Sequence, residues 1–437
     1  MANTKVTRSQ STAGNRNKWT FSAWVKRTST GSEEVILSVY YNASYYTEIG
    51  FTSGDQINFF DLYNGALNGR RRTNALARDC NGWWHIVGVF DKDNSTTDEK
   101  IRLWVNGVKI EGALASQQQS SINYSSNLNS AGQTVTLGAK NNASYFNGIM
   151  SHVHFCDGYA YDASAFGSTD SVTGEWKINT NPSVSYGTQG YHILKDGNSV
   201  TDSSTNSNNF TVGGGTLTKT EDCPSNVFAV LNAITPSSNN NRYGGTGHFN
   251  NSGTYDMRHS TLAVTTGKYY AEFKITQMSG GFTQVGIQDT TQFDDYMFMT
   301  NSSRGYGYLK DGNKRNASST SSYGDTFTTG DIIGVAVDLD NNKLYFSKNG
   351  VWQNSGDPTS GSTGTGSAFD ITDGYDYCIA TSSNDEGTDQ ETDVNFGNGY
   401  FGSTQISSAG TNASGNGIFE YDVPTGYTAL STKGLNT

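Results

Sequence analysis

Apolar and polar residues alternate along much of the chain, a period of two that is typical of β-strands with one face on a core. Within residues 19–26, the side chains of Trp19, Phe21 and Ala23 share one face and Trp24 lies on the other. This pattern predicts a half-buried strand. The same pattern predicts further strands in the first half at residues 35–40, 47–51, 56–62, 84–90, 101–105, 134–138 and 146–155.

A second set of strands is predicted after a long polar connection. These strands lie at residues 262–264, 269–275, 284–288, 306–309, 332–339, 343–346, 377–380 and 394–396. The connection carries short apolar pieces among Ser, Thr and Asn, and residues 199–209 are predicted to be its loosest part. The sequence therefore predicts a sandwich at residues 1–165, a polar junction with short strands at 166–225 and a second sandwich at 226–437.

An internal repeat links the two halves. Residues 84–91 and 101–108 have a counterpart in residues 332–338 and 344–351, and each pair closes on Asn-Gly. Asn-Gly supplies the positive φ angles that a tight hairpin turn requires. We therefore expect one architecture to be used twice.

Composition supports an all-β fold. The chain has 437 residues with 25 Tyr, 21 Phe, 7 Trp and 51 Gly, which combines strand-forming aromatic residues with turn-forming glycine. Only 34% of the residues are hydrophobic and the mean hydropathy is -0.57, but the aromatic share of 12% is enough to build cores. We expect compact domains.

Charge, cysteine content and the N-terminal segment exclude several classes of protein. A net charge of -11 argues against nucleic acid as a partner, and the basic run at residues 70–72 is interpreted as a solvated loop. The four cysteines are far apart, so we expect free thiols. Neither an apolar signal core nor a membrane span of about 20 apolar residues is present in the sequence, which predicts synthesis in the cytosol and no membrane insertion.

The same strands resemble two known families. The first half resembles the laminin-G-like, concanavalin-type jelly roll over about residues 15–165, and the second half resembles a SPRY domain. The matching pieces are residues 21–26, 84–91, 103–108 and 146–151 for the first family and residues 267–273, 330–335, 344–350 and 394–397 for the second. The resemblance implies an all-β protein with two concanavalin-like antiparallel β-sandwich (jelly-roll) domains in tandem. SPRY domains bind peptides or proteins through loops.

The pairing of the two halves resembles structural proteins of marine tailed phages. Residues 157–167, 207–212 and 218–225 carry this resemblance together with the first sandwich. It implies a virion structural protein of a bacteriophage, a component of the tail, fibre or capsid surface that is made in the host cytoplasm. Its partners would be other virion proteins and a host-surface glycan or protein, and it would be present as a homo-oligomer or in many copies.

Catalysis is not expected. Jelly-roll glycoside hydrolases need two carboxylates flanking the sugar, and the E-x-D-x-x-E pattern of the laminarinase-type enzymes has no match on a predicted strand. The acidic run at residues 385–393 has the wrong spacing. The prediction is a non-enzymatic protein, with a carbohydrate-processing enzyme of the concanavalin-like fold and an intracellular SPRY-type adaptor as alternatives.

Calcium is the one cofactor that the sequence leaves open. Asp91, Asp93 and Asp98 follow a predicted strand and offer the hard oxygen ligands that calcium prefers, but aspartate is also an ordinary turn residue. His152 and His154 share one face of a strand, either as a pair of nitrogen ligands or as packed side chains with satisfied hydrogen bonds. No other cofactor is predicted.

Aromatic side chains are the best binding candidates. Tyr41, Tyr45 and Tyr46 flank a predicted hairpin turn at residues 42–44, where an exposed ring can stack on a sugar or peptide. Packing within the strands is the alternative. Trp352 follows the second Asn-Gly turn and is either a core anchor or an exposed contact.

Overall fold

The computed structural model describes residues 3–80, 82–111, 122–195, 199–232, 241–243, 245–250, 255–278, 280–293, 299–384 and 389–436. The chain divides into two compact units, Met1–Lys219 and Thr220–Thr437. Both consist mainly of antiparallel sheets, which confirms the predicted all-β class. The boundary between the units falls inside the segment predicted as a junction. Within the described ranges, no helix is long and apolar enough to cross a membrane.

Two sheets pack face to face in the first unit. The strands are β1 (Lys5–Gln10), β2 (Lys18–Arg27), β3 (Glu34–Asn42), β4 (Tyr45–Phe51), β5 (Ile57–Tyr63), β6 (Ala66–Arg72), β7 (Trp84–Asp91), β8 (Ile101–Val105), β9 (Val108–Lys109), β10 (Gln133–Leu137), β11 (Gly148–Asp157), β12 (Gly167–Thr169), β13 (Trp176–Ile178), β14 (Tyr191–Ile193) and β15 (Thr211–Gly214). Sheet A has the order β15-β1-β10-β3-β4-β5-β6, and sheet B has the order β14-β11-β2-β7-β8-β9.

The core of the first unit lies between sheets A and B. Trp19, Phe21 and Ala23 of β2 are fully buried there, as predicted. The Trp19 ring centroid lies 5.4 Å from that of Phe59 on sheet A and 5.7 Å from that of Phe90 on sheet B. These large rings join the two sheets, because aromatic side chains bury the most apolar area per residue.

The other face of β2 is also buried, so the predicted half-buried strand is wrong. Trp24 retains 5% of its accessible surface, and Ser22 retains 1%. Residues 158–190, here called the strap, cover the outside of sheet B. Phe166 of the strap packs in one apolar cluster with Val87, Trp104 and other residues of that outer face. Alternation along one strand does not reveal such a cover, because the strap is remote in sequence.

The basic run at residues 70–72 is part of strand β6, not the solvated loop predicted from its charge. Arg71 is 7% exposed, and its Nε donates to the carbonyl oxygen of Ile101 at 2.9 Å. Its Nη2 donates to the carbonyl oxygen of Asp98 at 2.7 Å. A guanidinium is buried here because backbone acceptors satisfy its donors.

Residues 199–209 form an ordered turn, contrary to the prediction that they are the loosest part of the polar connection. The carboxylate of Asp202 accepts from the backbone N–H of His192 at 2.8 Å, of Ser204 at 2.9 Å and of Asn208 at 2.8 Å. Asn206 Nδ2 donates to the Gly190 carbonyl at 3.0 Å. Polar side chains thus bind the backbone of a segment that has few apolar ones.

The second unit repeats the two-sheet design. Its strands are β16 (Asn241–Arg242), β17 (Gly247–Asn250), β18 (Tyr255–His259), β19 (Lys268–Met278), β20 (Phe282–Asp289), β21 (Gly305–Leu309), β22 (Asn313–Asn316), β23 (Ser319–Ser322), β24 (Ile332–Asp338), β25 (Lys343–Lys348), β26 (Val351–Trp352), β27 (Phe369–Asp370), β28 (Tyr377–Asn384), β29 (Gln390–Asn395), β30 (Tyr400–Phe401), β31 (Thr404–Gln405) and β32 (Thr428–Ala429). Sheet C has the order β16-β17-β29-β19-β24-β25-β26, and sheet D has the order β18-β28-β20-β21-β22-β23.

Short 3-10 turns connect some of these strands in both units. They lie at Thr97–Glu99, Ala163–Ala165, Thr290–Gln292, Met299–Asn301, Gln353–Ser355, Gly361–Thr363 and Gly434–Asn436. A segment near the C-terminus covers the outer face of sheet C, where Phe419 and Tyr427 form one buried cluster with Tyr270 and Tyr345. Each unit therefore has one sheet whose outer face is covered by its own chain.

The predicted repeat of the Asn-Gly hairpin is confirmed in the structure. Asn106 has a φ of 47° and Asn349 a φ of 49°, and each is followed by a glycine with a positive φ. In both turns the asparagine Oδ1 accepts from the first strand of the pair, from the His85 N–H at 2.7 Å and from the Ile332 N–H at 2.9 Å. The two units share this local geometry because the same residues meet the same backbone requirement.

Candidate ligand-binding surface

The hairpin between β3 and β4 carries the predicted binding tyrosines. Tyr40 pairs with Tyr46 across the strands, and the next pair is Asn42 with Tyr45, so the register shifts by one residue at Tyr41. Such a bulge leaves the extra residue unpaired and turns its side chain outward. Tyr41 is accordingly 63% exposed.

Four tyrosine rings form a continuous cluster at this end of the first unit. The ring centroids are 6.3 Å apart for Tyr41 and Tyr45, 5.1 Å for Tyr45 and Tyr63, and 4.1 Å for Tyr63 and Tyr124. We call Tyr41, Tyr45, Tyr63 and Tyr124 the tyrosine cluster. Tyr124 is 50% exposed, and the Tyr45 hydroxyl donates to Asn64 Oδ1 at 3.1 Å. The cluster presents ring surface to solvent and holds it in place by ring contacts.

Tyr46 points to the opposite face of sheet A and belongs to a second group of rings. Its centroid lies 5.8 Å from that of Tyr40 and 5.4 Å from that of Phe60. Lys140 Nζ lies 5.2 Å from the Tyr46 centroid, within the range of a cation–π contact. The three predicted tyrosines are therefore divided between two faces, with Tyr41 and Tyr45 together and Tyr46 apart.

Charged groups beside Tyr46 are paired with each other. Lys140 Nζ lies 2.9 Å from a carboxylate oxygen of Glu48 and 2.9 Å from one of Glu33. Burial lowers the pKa of Lys140, but the two carboxylates outweigh it and hold this pKa above its usual value. Burial raises the pKa of the Glu48 carboxyl, an effect that Lys140 partly offsets. This face is consequently a fixed ion-pair network bordered by rings.

Trp352 lies at the edge of the covered outer face of sheet C. Its ring centroid is 6.3 Å from that of Tyr270 in a T-shaped contact, and the side chain is partly buried. The adjacent Val351 is 67% exposed. Trp352 is therefore neither a central core residue nor a fully exposed contact.

The three aspartates considered for calcium are not assembled into a metal site. Asp91 forms ion pairs with Lys18 at 3.4 Å and Arg102 at 3.7 Å. The Asp98 side chain is 83% exposed. Over the part of the chain that the structure describes, no group of three or more His, Cys, Asp or Glu side chains is arranged to hold a metal ion. Residues 385–388 of the acidic run lie outside the described residues.

The sequence pattern did not identify two of the four residues of the tyrosine cluster or the third member of a histidine cluster. Tyr63 directly follows the strand predicted at residues 56–62 and is the last residue of β5, and Tyr124 lies in a polar stretch without strand periodicity. His154 stacks on His192 with centroids 3.9 Å apart, and His152 lies 6.0 Å from His192. Because His192 is on β14, which joins sheet B beside β11, only the strand order brings it to the predicted pair.

The two units match two family models. Residues 2–165 match the concanavalin A-like lectin/glucanases superfamily, and residues 268–369 match the SPRY domain. The chain pairs a concanavalin A-like domain with a SPRY domain. Together the two domains indicate a binding module. Residues 166–219 add strands β14 and β15 to the sheets of the concanavalin A-like unit, beyond the segment that the family model matches.

One curated relative is similar to a part of the chain. The chain is 36% identical over 93 residues to a Ran-binding proteins 9/10 homolog of Drosophila melanogaster, a match that covers 21% of this chain and 10% of the relative. The chain therefore corresponds to about a tenth of the length of that relative.

Two solved structures that match parts of the chain have low identity to it. The SPRY domain of human HERC1 is 18% identical with a TM-score of 0.27, and the match covers 34% of this chain and 87% of that one. The native heptameric SAP-like pentraxin from Limulus polyphemus is 15% identical with a TM-score of 0.30, and the match covers 49% of this chain and 90% of that one. The domain assignments depend on the two family models and on the strand topology.

Proposed function

We propose that this chain is a non-enzymatic structural protein of a phage virion surface, and that its concanavalin A-like domain binds a host-surface glycan through the tyrosine cluster. The observation that carries the binding proposal is the row of ring contacts from Tyr41 to Tyr124, with both end residues at least half exposed. Virion membership is supported by the resemblance to tailed-phage structural proteins described above.

A glycan suits this surface for chemical reasons. Sugar rings present C–H faces that stack on aromatic rings, and their hydroxyl groups hydrogen-bond to nearby amides and phenols. The tyrosine cluster supplies rings from three parts of the chain, with the Asn64 side chain beside them. Many copies on one particle would turn weak single contacts into firm attachment.

The buried carboxylates support a role without catalysis, because their hydrogen bonds commit them to the fold. Asp61, on the strand that carries Tyr63, is fully buried and accepts from Asn68 Nδ2 at 2.7 Å and from Ser126 Oγ at 3.2 Å. Glu272 accepts from two backbone N–H groups at 2.8 Å. A retaining or inverting glycosidase needs two carboxylates that reach the sugar, roughly 5 to 9.5 Å apart. We propose that the chain leaves polysaccharides uncut.

A glycan array tests the binding proposal on the full chain. We expect the wild type to bind a subset of bacterial-surface glycans and the Tyr41→Ala/Tyr124→Ala double variant to bind them at least about tenfold more weakly. Tyr159→Ala is the matched control, because Tyr159 is 42% exposed in the same unit and lies outside the tyrosine cluster. Unchanged binding by the double variant would contradict the proposal.

Mass spectrometry of purified virions tests the second part of the proposal. Peptides of this chain should be present at a copy number comparable with that of other tail or capsid-surface proteins. Their absence from particles of the phage that encodes the chain would contradict a structural role. Capture of one defined protein together with an empty glycan array would instead favour the adaptor alternative.

A further inference from the structure

Four of the six histidines of the chain lie beneath the strap on the outer face of sheet B. The rings of His152, His154 and His192 form the cluster described above, and His85 lies on the same face within electrostatic reach of His154. All four are less than a tenth exposed. Histidine is the side chain whose ordinary pKa lies closest to neutral pH, so this grouping concentrates acid-sensitive groups under one segment.

Two of these histidines bind aromatic side chains of the strap. Trp176 Nε1 donates to His85 Nδ1 at 2.9 Å, and the two rings are stacked with centroids 5.9 Å apart. The Tyr186 hydroxyl lies 2.9 Å from His154 Nδ1. The Phe166 ring centroid lies 5.3 Å from that of His154. Three aromatic side chains of the strap thus contact imidazoles of sheet B.

The contact with Trp176 requires a neutral His85. An indole N–H only donates, so His85 Nδ1 must be unprotonated to accept from it. His85 Nε2 lies 2.9 Å from Ser22 Oγ and carries the ring proton. A second proton on Nδ1 would make Nδ1 a donor that faces the N–H donor of Trp176. This removes the hydrogen bond and places a positive charge under the strap.

The surroundings oppose charge on these rings. Burial lowers the pKa of His85 to about 3. Burial is also the main reason that the pKa of His154 lies well below its usual value, and the electrostatic effect of the neighbouring His192, His152 and His85 lowers it further. The elements around the cluster also carry other ionisable groups, which are Lys18, Lys26 and Arg27 on β2, Asp91 on β7, Arg102 on β8, Cys156 and Asp157 on β11, Tyr191 on β14, Lys195 and Asp202 near β14, and Tyr159, Tyr161, Asp162, Asp170, Glu175, Lys177 and Tyr186 on the strap.

We propose that the strap is released by acid: protonation of His85 breaks its hydrogen bond with Trp176, protonation of His154 places a charge beneath Tyr186 and Phe166, and the outer face of sheet B is uncovered. The core between sheets A and B stays folded, because its residues are on the opposite face of β2 and β7. The inference is independent of the glycan-binding proposal, since the tyrosine cluster is not part of this face.

The experiment uses two cysteines of the full chain. Cys156 is buried beneath the strap, and Cys378 is buried in the second unit. Burial raises the pKa of both thiols to about 12, and Cys378 serves as the internal reference in the unit without the strap. A pyridyl disulfide that stays reactive in acid labels the thiols, and peptide mass spectrometry gives the ratio of the two labelling rates from pH 7.5 to pH 4.5.

We expect the ratio of Cys156 to Cys378 labelling to rise steeply as the pH falls. A histidine that is neutral under the strap and has its ordinary pKa of about 6.5 when uncovered favours release about 100-fold at pH 4.5. The His85→Gln/His154→Gln variant should lose most of this dependence, and the control His259→Gln should keep it. Trp176→Phe, which removes one attachment without new charge, should speed Cys156 labelling at pH 7.5.

Two results would overturn the proposal. One is a labelling ratio that does not change with pH, or that changes equally in the wild type and in the double histidine variant. The other is loss of hydrogen-exchange protection in β2 and β7 at the pH where Cys156 becomes labelled, which would mean that the whole unit unfolds. Retained protection in those strands with exposure of residues 158–190 supports release of the strap alone.

Discussion

At the residue scale, Glu272 shows how a buried carboxylate can serve the fold of this chain. Its two oxygens accept from the backbone N–H groups of Glu420 and Tyr421 at 2.8 Å and from the Tyr270 hydroxyl at 3.1 Å. The side chain is fully buried, and burial raises the pKa of Glu272 to about 7 although these hydrogen bonds lower it. The carboxyl group attaches the C-terminal segment to the outer face of sheet C.

Glu272 makes stability depend on pH near neutrality. Since its pKa is about 7 in the folded state and about 4.5 when unfolded, its contribution to stability is complete below pH 4.5 and is lost as the pH rises through 7. We expect the free energy of unfolding of the wild type to fall relative to Glu272→Gln by about 3 kcal/mol between pH 4.5 and pH 8. Urea unfolding of both proteins across this range measures the difference. Parallel pH profiles would show that Glu272 is not the titrating group.

Trp352, unlike Glu272, is only partly buried. Because its ring contacts Tyr270 at the edge of a buried cluster, Trp352→Ala should cost about 2 to 3 kcal/mol of unfolding free energy. Val351→Ala, at the exposed neighbouring position, should change stability by less than about 0.5 kcal/mol. Thermal unfolding compares the three proteins. A Trp352→Ala variant that melts like the wild type but loses binding would assign Trp352 to a binding surface.

The tyrosine cluster shows which parts of a site a single sequence can reveal. Tyr41 and Tyr45 were predicted because both flank a hairpin turn, and local chain geometry is enough to bring them together. Tyr124 reaches Tyr63 only through the path of residues 122–130 across the end of the sandwich. Long-range placement of that kind has no periodic signal, which is why the cluster could be predicted only in part.

At the scale of elements, strands were predictable where one face meets the core. The predicted strands at residues 84–90 and 101–105 correspond to β7 and β8, since alternation reports the contact between sheets directly. Strand β6 was missed because its three arginines resemble solvated residues, although Arg71 is buried against backbone carbonyls. Polar side chains satisfied by distant backbone groups cannot be distinguished from exposed ones by composition.

The turn at residues 199–209 gives a prediction about one element. Asp202→Ala removes the acceptor of three backbone N–H groups and should cost about 2 to 4 kcal/mol of unfolding free energy. Limited proteolysis should spare this turn in the wild type and cut it in the variant. Asp162→Ala is the control, because Asp162 accepts from the Ser164 N–H in an exposed turn and should cost at most about 1 kcal/mol. Rapid cleavage of the wild type within 199–209 would show that these hydrogen bonds do not order the turn.

At the scale of the whole molecule, two units share a design and differ in how their covers are attached. The strap of the first unit contacts histidines, and the segment over sheet C contacts a glutamate. We expect acid to weaken the first attachment, because His85 must stay unprotonated to accept from Trp176. We expect a rise in pH through neutrality to weaken the second, because burial favours the protonated form of Glu272. In both units, aromatic side chains of the covering segment also pack against the outer face of the sheet.

We propose that the tyrosine cluster attaches this protein to glycans on the host cell. The most direct measurement is binding of the labelled full chain to host cells, before and after periodate oxidation of their surface glycans. We expect saturable binding of the wild type and of Tyr159→Ala, at least about tenfold weaker binding of Tyr41→Ala/Tyr124→Ala, and loss of binding after oxidation. Equal binding by all three proteins, or binding that survives the oxidation of glycans, would contradict the account.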